Sequence, residues 1–357
     1  MDFIRITKRD NLSRKKEILI TLLAIVLSIV FAGIILLIFG LNPFEIFKEI
    51  IMGSVGTGLR VKQTIVKAVP LIITSMGIIV AFKMKFWNIG AEGQITMGAL
   101  GASWVALNLS PNLPQPVMLL LMMVGAAVCG GIWAFIPAIF KAKLGTNETI
   151  FTLMMNYVAI KFVTYLQYGP WMDPAANGFP KIAMFPDNAV MLKLGGVNIG
   201  WILAILAAAF VYFFMNYTKK GYEITVVGES IETARYAGMN ISRIIVVAML
   251  ISGGLCGITG MIQASAIEKT LVYGIANGYG FTAIITAWLS KLNAGYAVAV
   301  CAVFAMLIQG GQYIQIALGV PSAVSDIVQG LILFFVLGSE FFMRYRVHIG
   351  RNSKEVA

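Results

Sequence analysis

The sequence holds a single histidine, His348, close to its C-terminal end. That scarcity removes most histidine-based acid–base catalysis and most zinc chemistry. Charge is also scarce: 12% of residues are charged, where soluble globular chains carry roughly 25%. No polar stretch is long enough to make a separate soluble domain. The three cysteines, Cys129, Cys256 and Cys301, all lie within apolar runs and read as small buried hydrophobes, which excludes a disulfide framework. There is no Gly-Lys dipeptide, so the chain has no phosphate loop of the Walker type, and no HExxH motif. Nor is there a regular arginine ladder or a filter-like repeat, the marks of voltage sensors and selective channels. If such a chain drives active transport, the energy comes from an ion gradient or from a separate ATPase.

Apolar residues, by contrast, make up 59% of the 357. A helix needs about 20 apolar residues to cross a bilayer, and the pattern predicts ten such spans, at 18–41, 64–82, 91–108, 117–140, 149–168, 199–217, 244–267, 278–290, 295–312 and 325–343. The basic Arg14-Lys15-Lys16 precedes an apolar run longer than a signal peptide's core, so the first span reads as uncleaved. With the N-terminus inside, nineteen of the 27 lysines and arginines fall on the cytoplasmic side and seven outside, with Lys161 within a span. The cytoplasmic set includes Arg9, Lys83, Lys141, Lys219, Arg344, Arg351 and Lys354. The positive-inside rule then puts both termini in the cytoplasm and makes the number of spans even. This distribution, and not a basic face for nucleic acid, accounts for the net charge of +11. The fold class expected is an all-α polytopic membrane protein: a basic tail 1–17, a membrane domain 18–343 and a tail 344–357.

Three connections are long enough to be structured. Segment 42–63 opens with Asn42-Pro43, a helix cap followed by a first-turn proline, and Phe44, Phe47 and Ile51 fall on one face of the surface helix it predicts. Segment 169–198, rich in Pro, Gly and Asn, reads as an irregular outer cap. Segment 218–243, inside, carries Gly228, Glu229, Ser230, Glu232, Ala234, Arg235, Ala237 and Gly238. Ser230 suits an N-cap, Glu232 the positive end of the dipole and Gly238 a C-terminal stop, so a helix of two turns is expected at 230–237. On periodicity alone this is either a docking element or a solvated turn.

Polar groups within lipid are costly and normally face a bundle interior or a water path. Asn88, Glu92, Thr96, Ala99 and Ser103 share one face of the third span; Glu148, Thr152 and Asn156 share one in the fifth. Ser252, Cys256, Thr259 and Gln263 do so in the seventh, where Gly253, Gly257 and Gly260 permit close helix approach. The tenth carries Ser322, Ser325, Asp326 and Gln329. The seventh stripe reads chiefly as helix-to-helix bonding. Asn88, Glu92, Gln94, Asn147, Glu148, Asn156, Asp326 and Gln329 are the candidate pathway or gating residues.

Five segments in order resemble the permease subunits of bacterial ABC importers for ribose, branched-chain amino acids and nucleosides. They are Asn88-Ile89-Gly90-Ala91-Glu92-Gly93-Gln94; Asn147-Glu148-Thr149-Ile150 with Met155-Asn156-Tyr157; Gly228-Glu229 through Gly238-Met239-Asn240; Gly280-Phe281-Thr282-Ala283-Ile284; and Pro321-Ser322 through Gln329-Gly330-Leu331. Within that group, the first segment and the long outer connections look most like nucleoside permeases working with basic membrane protein-type lipoproteins. The chain departs from the family pattern at Trp288, in a run that is usually small and aliphatic, and at Asn293-Ala294, where Asn-Pro is usual.

The resemblance implies a non-catalytic transport subunit in the bacterial cytoplasmic membrane, with no cofactor of its own. A cytoplasmic ATPase carrying Mg-ATP would receive the 230–237 helix. A second, non-identical permease would complete the path, and an outer lipoprotein would deliver substrate. The alternatives are a permease for a simple sugar or branched-chain amino acid, or an ion-driven secondary transporter using Glu92, Glu148 or Asp326.

Overall fold

The computed structural model describes residues 4–8, 13–109 and 112–349. Arg9, Arg351 and Lys354 of the charge tally lie outside them. The chain is almost wholly helical: α1 (Arg14–Ile38), α2 (Pro43–Val55), α3 (Gly58–Lys83), α4 (Ala91–Asn108), α5 (Gln115–Leu144), α6 (Glu148–Tyr168) and α7 (Gly200–Tyr217) come first. Then follow α8 (Lys219–Glu229), α9 (Ile231–Tyr236), α10 (Ile241–Ile262), α11 (Tyr279–Leu289), α12 (Ala294–Leu318) and α13 (Ser322–Arg344). A π-helical turn, Gln263–Glu268, prolongs α10. Among the described residues six helices, α3, α5, α6, α7, α10 with its π turn, and α12, are each long and apolar enough to cross a membrane.

The all-α class is what the described residues show, with two small two-stranded sheets beside the helices. β1 (Ile4–Lys8) pairs antiparallel with β4 (Tyr345–Ile349), joining the two ends of the chain. β2 (Lys193–Leu194) and β3 (Val197–Asn198) form a hairpin around Gly195-Gly196, both with positive φ. β1 (IRITK) and β4 (YRVHI) do alternate apolar and polar residues, a short signal that is easily passed over at the chain's ends, whereas β2 and β3, of two residues each, carry none.

The chain divides into two compact units, Met1–Arg60 with Met306–Ala357, and Val61–Ala305, so that the boundary falls within α12. In the first unit α1 and α13 pack together, and α2 leaves α1 at 117°. Asn42 caps α2 as expected, its Oδ1 accepting from Phe44 N at 3.1 Å. Of the apolar face named from the sequence, Phe44 is 87% exposed and Ile51 also lies outward, but Phe47 packs half-buried against the inner cluster. Ile46 and Ile50 face inward instead, clustering with Leu36, Ile314, Val324 and Val328. A helix in a membrane can be apolar on both sides, so periodicity does not tell protein from lipid.

The second unit is built on α4, α5 and α10, which pack more extensively than any other helices of this unit. Their glycines explain the closeness. Gly98 lies against the Gly257 backbone, and a Cβ at Gly257 would fall on the Ala126 carbonyl. Without a hydrophobic drive in lipid, such small-residue contacts are what hold helices together. Ser252, Cys256, Thr259 and Gln263 are all buried, and Thr74 donates to Thr259 across 3.0 Å, in line with the bonding reading of that stripe.

Two sequence expectations need correction here. The eighth span, 278–290, is a helix of only 11 residues. At 1.5 Å per residue it is about 16 Å long, half a hydrocarbon core. The apolar pattern there could not show that residues 269–278 are irregular. The connection 218–243 contains two helices, because α8 precedes α9. Thr218 caps α8 by accepting from Gly221 N at 3.1 Å, and Gly221 seats its start on the Met215 backbone.

Candidate functional site

The segment 86–94 is the polar centre of the second unit. α3 ends at Lys83, Lys85 takes a positive φ, and the chain turns back so that α4 begins beside Ser252, halfway along α10. Asn88 and Gln94 bond reciprocally: Asn88 Nδ2 donates to Gln94 Oε1 at 3.2 Å, and Gln94 Nε2 donates to Asn88 Oδ1 at 3.0 Å. Asn88 Nδ2 also donates to Ser252 Oγ, and its Oδ1 accepts from Gly90 N. Asn156 of α6 grips the same segment from the other side, accepting from Gly93 N at 2.8 Å and donating to the Ile89 carbonyl at 2.9 Å. Thr152 Oγ1 accepts from Ile89 N. All of these side chains are buried, and each has partners within the protein, as groups removed from water must.

Glu92 has a specific task. Its Oε1 accepts from Gly278 N at 2.7 Å and its Oε2 from Gly280 N at 2.8 Å. These amides lie at the start of α11, where the first N–H groups of a helix lack intrahelical partners and the dipole is positive. A carboxylate from α4 thus caps a helix far along the chain. Gly278 has φ of +75°, and a Cβ on Gly280 would strike the Glu92 backbone, so the cap needs glycine at both places.

The C-terminal part of α11 is tied to the same stretch of chain. Trp288 stacks on Trp87 with centroids 5.3 Å apart and planes at 12°, and Phe82 meets both rings edge-on. Thr286 Oγ1 lies 2.5 Å from Ser75 Oγ on α3. The unusual Trp288 is therefore one half of an aromatic pair whose other half is Trp87.

Asn147 caps α6, accepting from Thr149 N at 3.0 Å, and Glu148 pairs with Lys141 at 2.7 Å. Lys161 is exposed on the outer face of α6. Asp326 and Gln329 belong to the first unit: Asp326 is exposed and Gln329 Nε2 donates to Ser325 Oγ at 3.0 Å.

α9 is closed at both ends. Ser230 Oγ accepts from Thr233 N at 3.1 Å. After Tyr236, Gly238 takes φ of +71°, Met239 N donates to the Ala234 carbonyl and Gly238 N to that of Arg235, the pair of bonds that terminates a helix in a left-handed residue. Ala234 is buried while Glu232, Arg235 and Tyr236 stand outward, Tyr236 at 96% exposure. Just before α9, a Cβ on Gly228 would land on the Lys83 carbonyl, so the end of α8 rests directly on the turn that leads to Trp87 and Asn88.

Sequence reasoning missed Tyr279 and the irregular 269–278 segment, which lie beside Glu92. The clustered Gly274, Asn277 and Gly278 were the available signal, hidden by the apolar residues on either side.

A family described as branched-chain amino acid transport system / permease component matches residues 60–337. The glucose ABC transporter permease protein TsgB13 of Haloferax volcanii is 34% identical, over 92% of this chain and 89% of its own. The guanosine ABC transporter permease protein NupP of Bacillus subtilis is 32% identical over 91% and 94%, and the nucleoside ABC transporter permease protein NupB of Lactococcus lactis is 29% identical over 91% and 92%. The matched span takes in the 86–94 network, both short helices between α7 and α10, and half-length α11, and the chain belongs to this permease family of integral membrane proteins.

Proposed function

We propose that the chain is the membrane subunit of an ATP-driven importer for nucleosides. The observation that carries the importer reading is α9: a helix too short to be stable alone, capped at both ends, presenting Arg235 and Tyr236 outward and backed by Gly228 on the Lys83 carbonyl. A separate ATPase holding Mg-ATP would seat this helix. Its closure would push through α8 into the turn before Asn88. The buried set Asn88, Glu92, Gln94 and Asn156 then acts as a gating body, with Asn147 and Glu148 fixing the start of α6. Asp326 and Gln329 are proposed as gating residues of the first unit.

The charge distribution supports cytoplasmic termini and an even number of crossings, ten if residues 269–278 and α11 together make the eighth. The pairing of β1 with β4 supports placing both ends on one side. Two nucleoside permeases among the relatives, matched over nearly their whole length, favour a nucleoside as substrate. An outer lipoprotein and a second, non-identical permease are the partners that the resemblance of the five segments implies. The glucose permease at 34% identity favours a hexose as the second solute to test.

In cells or proteoliposomes containing the assembled transporter, labelled guanosine accumulates only with ATP. Arg235→Glu and Ala234→Trp abolish association with the ATPase and uptake together. Accumulation under an ion gradient with no ATPase present, or full coupled ATP hydrolysis in both variants, sinks the reading.

A further inference from the structure

A cavity of about 230 Å³ opens where the irregular segment 269–278 meets α11. Its lining is polar for a membrane protein: Lys67 from α3, Gln263 and Glu268 from the π turn, and Tyr273, Asn277 and Tyr279 from the irregular segment and its end. Gln263 and Tyr279 are buried at its base and hydrogen-bonded to each other. Lys67 and Glu268 face each other electrostatically but do not close into one of the ion pairs found among the described residues.

Three independent features place this cavity on a solute path. Non-helical backbone at membrane depth is tolerated only where it is buried in protein or lines a water-filled cavity. Residues 269–278 are such backbone, since Glu92 fixes the start of α11 beside the first turn of α4, level with the middle of α10. Second, half-helices whose ends lie within the membrane are the elements from which transporters build substrate sites. Third, α10 ends in its π turn at the cavity wall, and such turns are frequent at functional sites. The rim is braced from outside: Ser265 Oγ donates to the Ala189 carbonyl and Thr270 Oγ1 to that of Ile182.

The chemistry of the lining selects the solute. The amides at the start of α11 would attract an anion, but Glu92 already holds them. Lys67 and Glu268 offer one charge of each sign. The cavity is smaller than the roughly 300–1,000 Å³ of sites for drug-sized ligands. What remains is a neutral, compact molecule rich in donors and acceptors and presenting a ring to tyrosine faces. We propose that this cavity is a solute-docking subsite of the translocation path for a neutral hydroxylated ring compound, which, resting on the reading above, is a nucleoside.

The test uses the full chain in its assembled transporter, with guanosine as probe and adenosine monophosphate as the anionic control. Glu268→Gln and Asn277→Ala lower the maximal uptake rate about tenfold, the scale of one charge-assisted hydrogen bond. Solute-stimulated ATP hydrolysis and membrane abundance persist. Uptake within about twofold of the parent in both variants overturns the subsite. Where uptake, hydrolysis and abundance all fall together, Asn277→Cys in a Cys129→Ser background decides, because the half-buried Cys129 is then removed and Cys256 and Cys301 are buried. Guanosine shields this cysteine from an impermeant maleimide and the monophosphate does not. Equal labelling with and without guanosine overturns the site, and equal shielding by the monophosphate overturns the neutral-solute assignment. A parent transporter that carries glucose and no guanosine refutes the nucleoside reading alone, and the same variants then test the cavity with glucose.

Discussion

At the scale of single residues, Glu92 shows how a costly group is made to belong in lipid. Both carboxylate oxygens accept backbone N–H groups that would otherwise be orphaned at the start of α11. Glu92→Ala leaves two buried donors unmet at about 1–3 kcal/mol each. A purified Glu92→Ala protein should melt well below the parent in detergent, and Glu92→Gln, which keeps one acceptor, should melt between them. Equal melting temperatures would contradict the capping role. Gly257→Val should be as damaging for a different reason, because the added carbons meet the Ala126 carbonyl and force α5 and α10 apart; overpacking costs typically 1–3 kcal/mol, so about that loss is expected in thermal unfolding. The stripe from Ser252 to Gln263 was legible because small and hydroxylic residues at helical spacing have few other uses in lipid. The partner of Glu92 was not, since the amides of Gly278 and Gly280 leave no mark in a side-chain pattern.

At the scale of elements, α9 was legible to within a residue at either end, because its signals are local: a serine cap, an acidic first turn and a glycine stop. α8 was missed for a related reason. Its caps are weaker, and Gly221 and Gly228 argue against a helix until their close contacts with Met215 and Lys83 are seen. Gly228→Val should leave α9 intact yet part α8 from the turn below it. ATP hydrolysis in the assembled transporter would then run without uptake, and a variant with both activities unimpaired would exclude α8 as the link. α11 posed the opposite problem. Its apolar composition suggested a full span, whereas its length is that of half of one.

At the scale of the whole molecule, the charge tally and the ends of the chain bear on the same question. β1 and β4 pair along five positions, from Ile4 with Ile349 to Lys8 with Tyr345. The pairing brings the two ends together, and the charge tally puts the 218–243 connection on their side, so Tyr236→Cys and a C-terminal reporter should report the same compartment. Tyr236→Cys in sealed cells should resist impermeant reagents until the membrane is opened, and labelling in intact cells would reverse the orientation. Ten helical stretches could be read from hydropathy alone, but which of them cross unaided could not. α4 is the clearest case: its glycines, serine and amide suit it to being enclosed by α5, α6 and α10, at the expense of the apolarity that marks a lipid-facing crossing.

The attachments of α11 constrain how such a machine can move. With Glu92 at one end, the paired indoles of Trp87 and Trp288 near the other, and Ser75 against Thr286 between them, this short helix has no freedom to slide on α3 and α4. Spin labels on α4 and α11 should keep one separation whether the transporter faces out or in, so α3, α4 and α11 have to move as one rigid piece, and alternating access lies in the displacement of that piece against other segments.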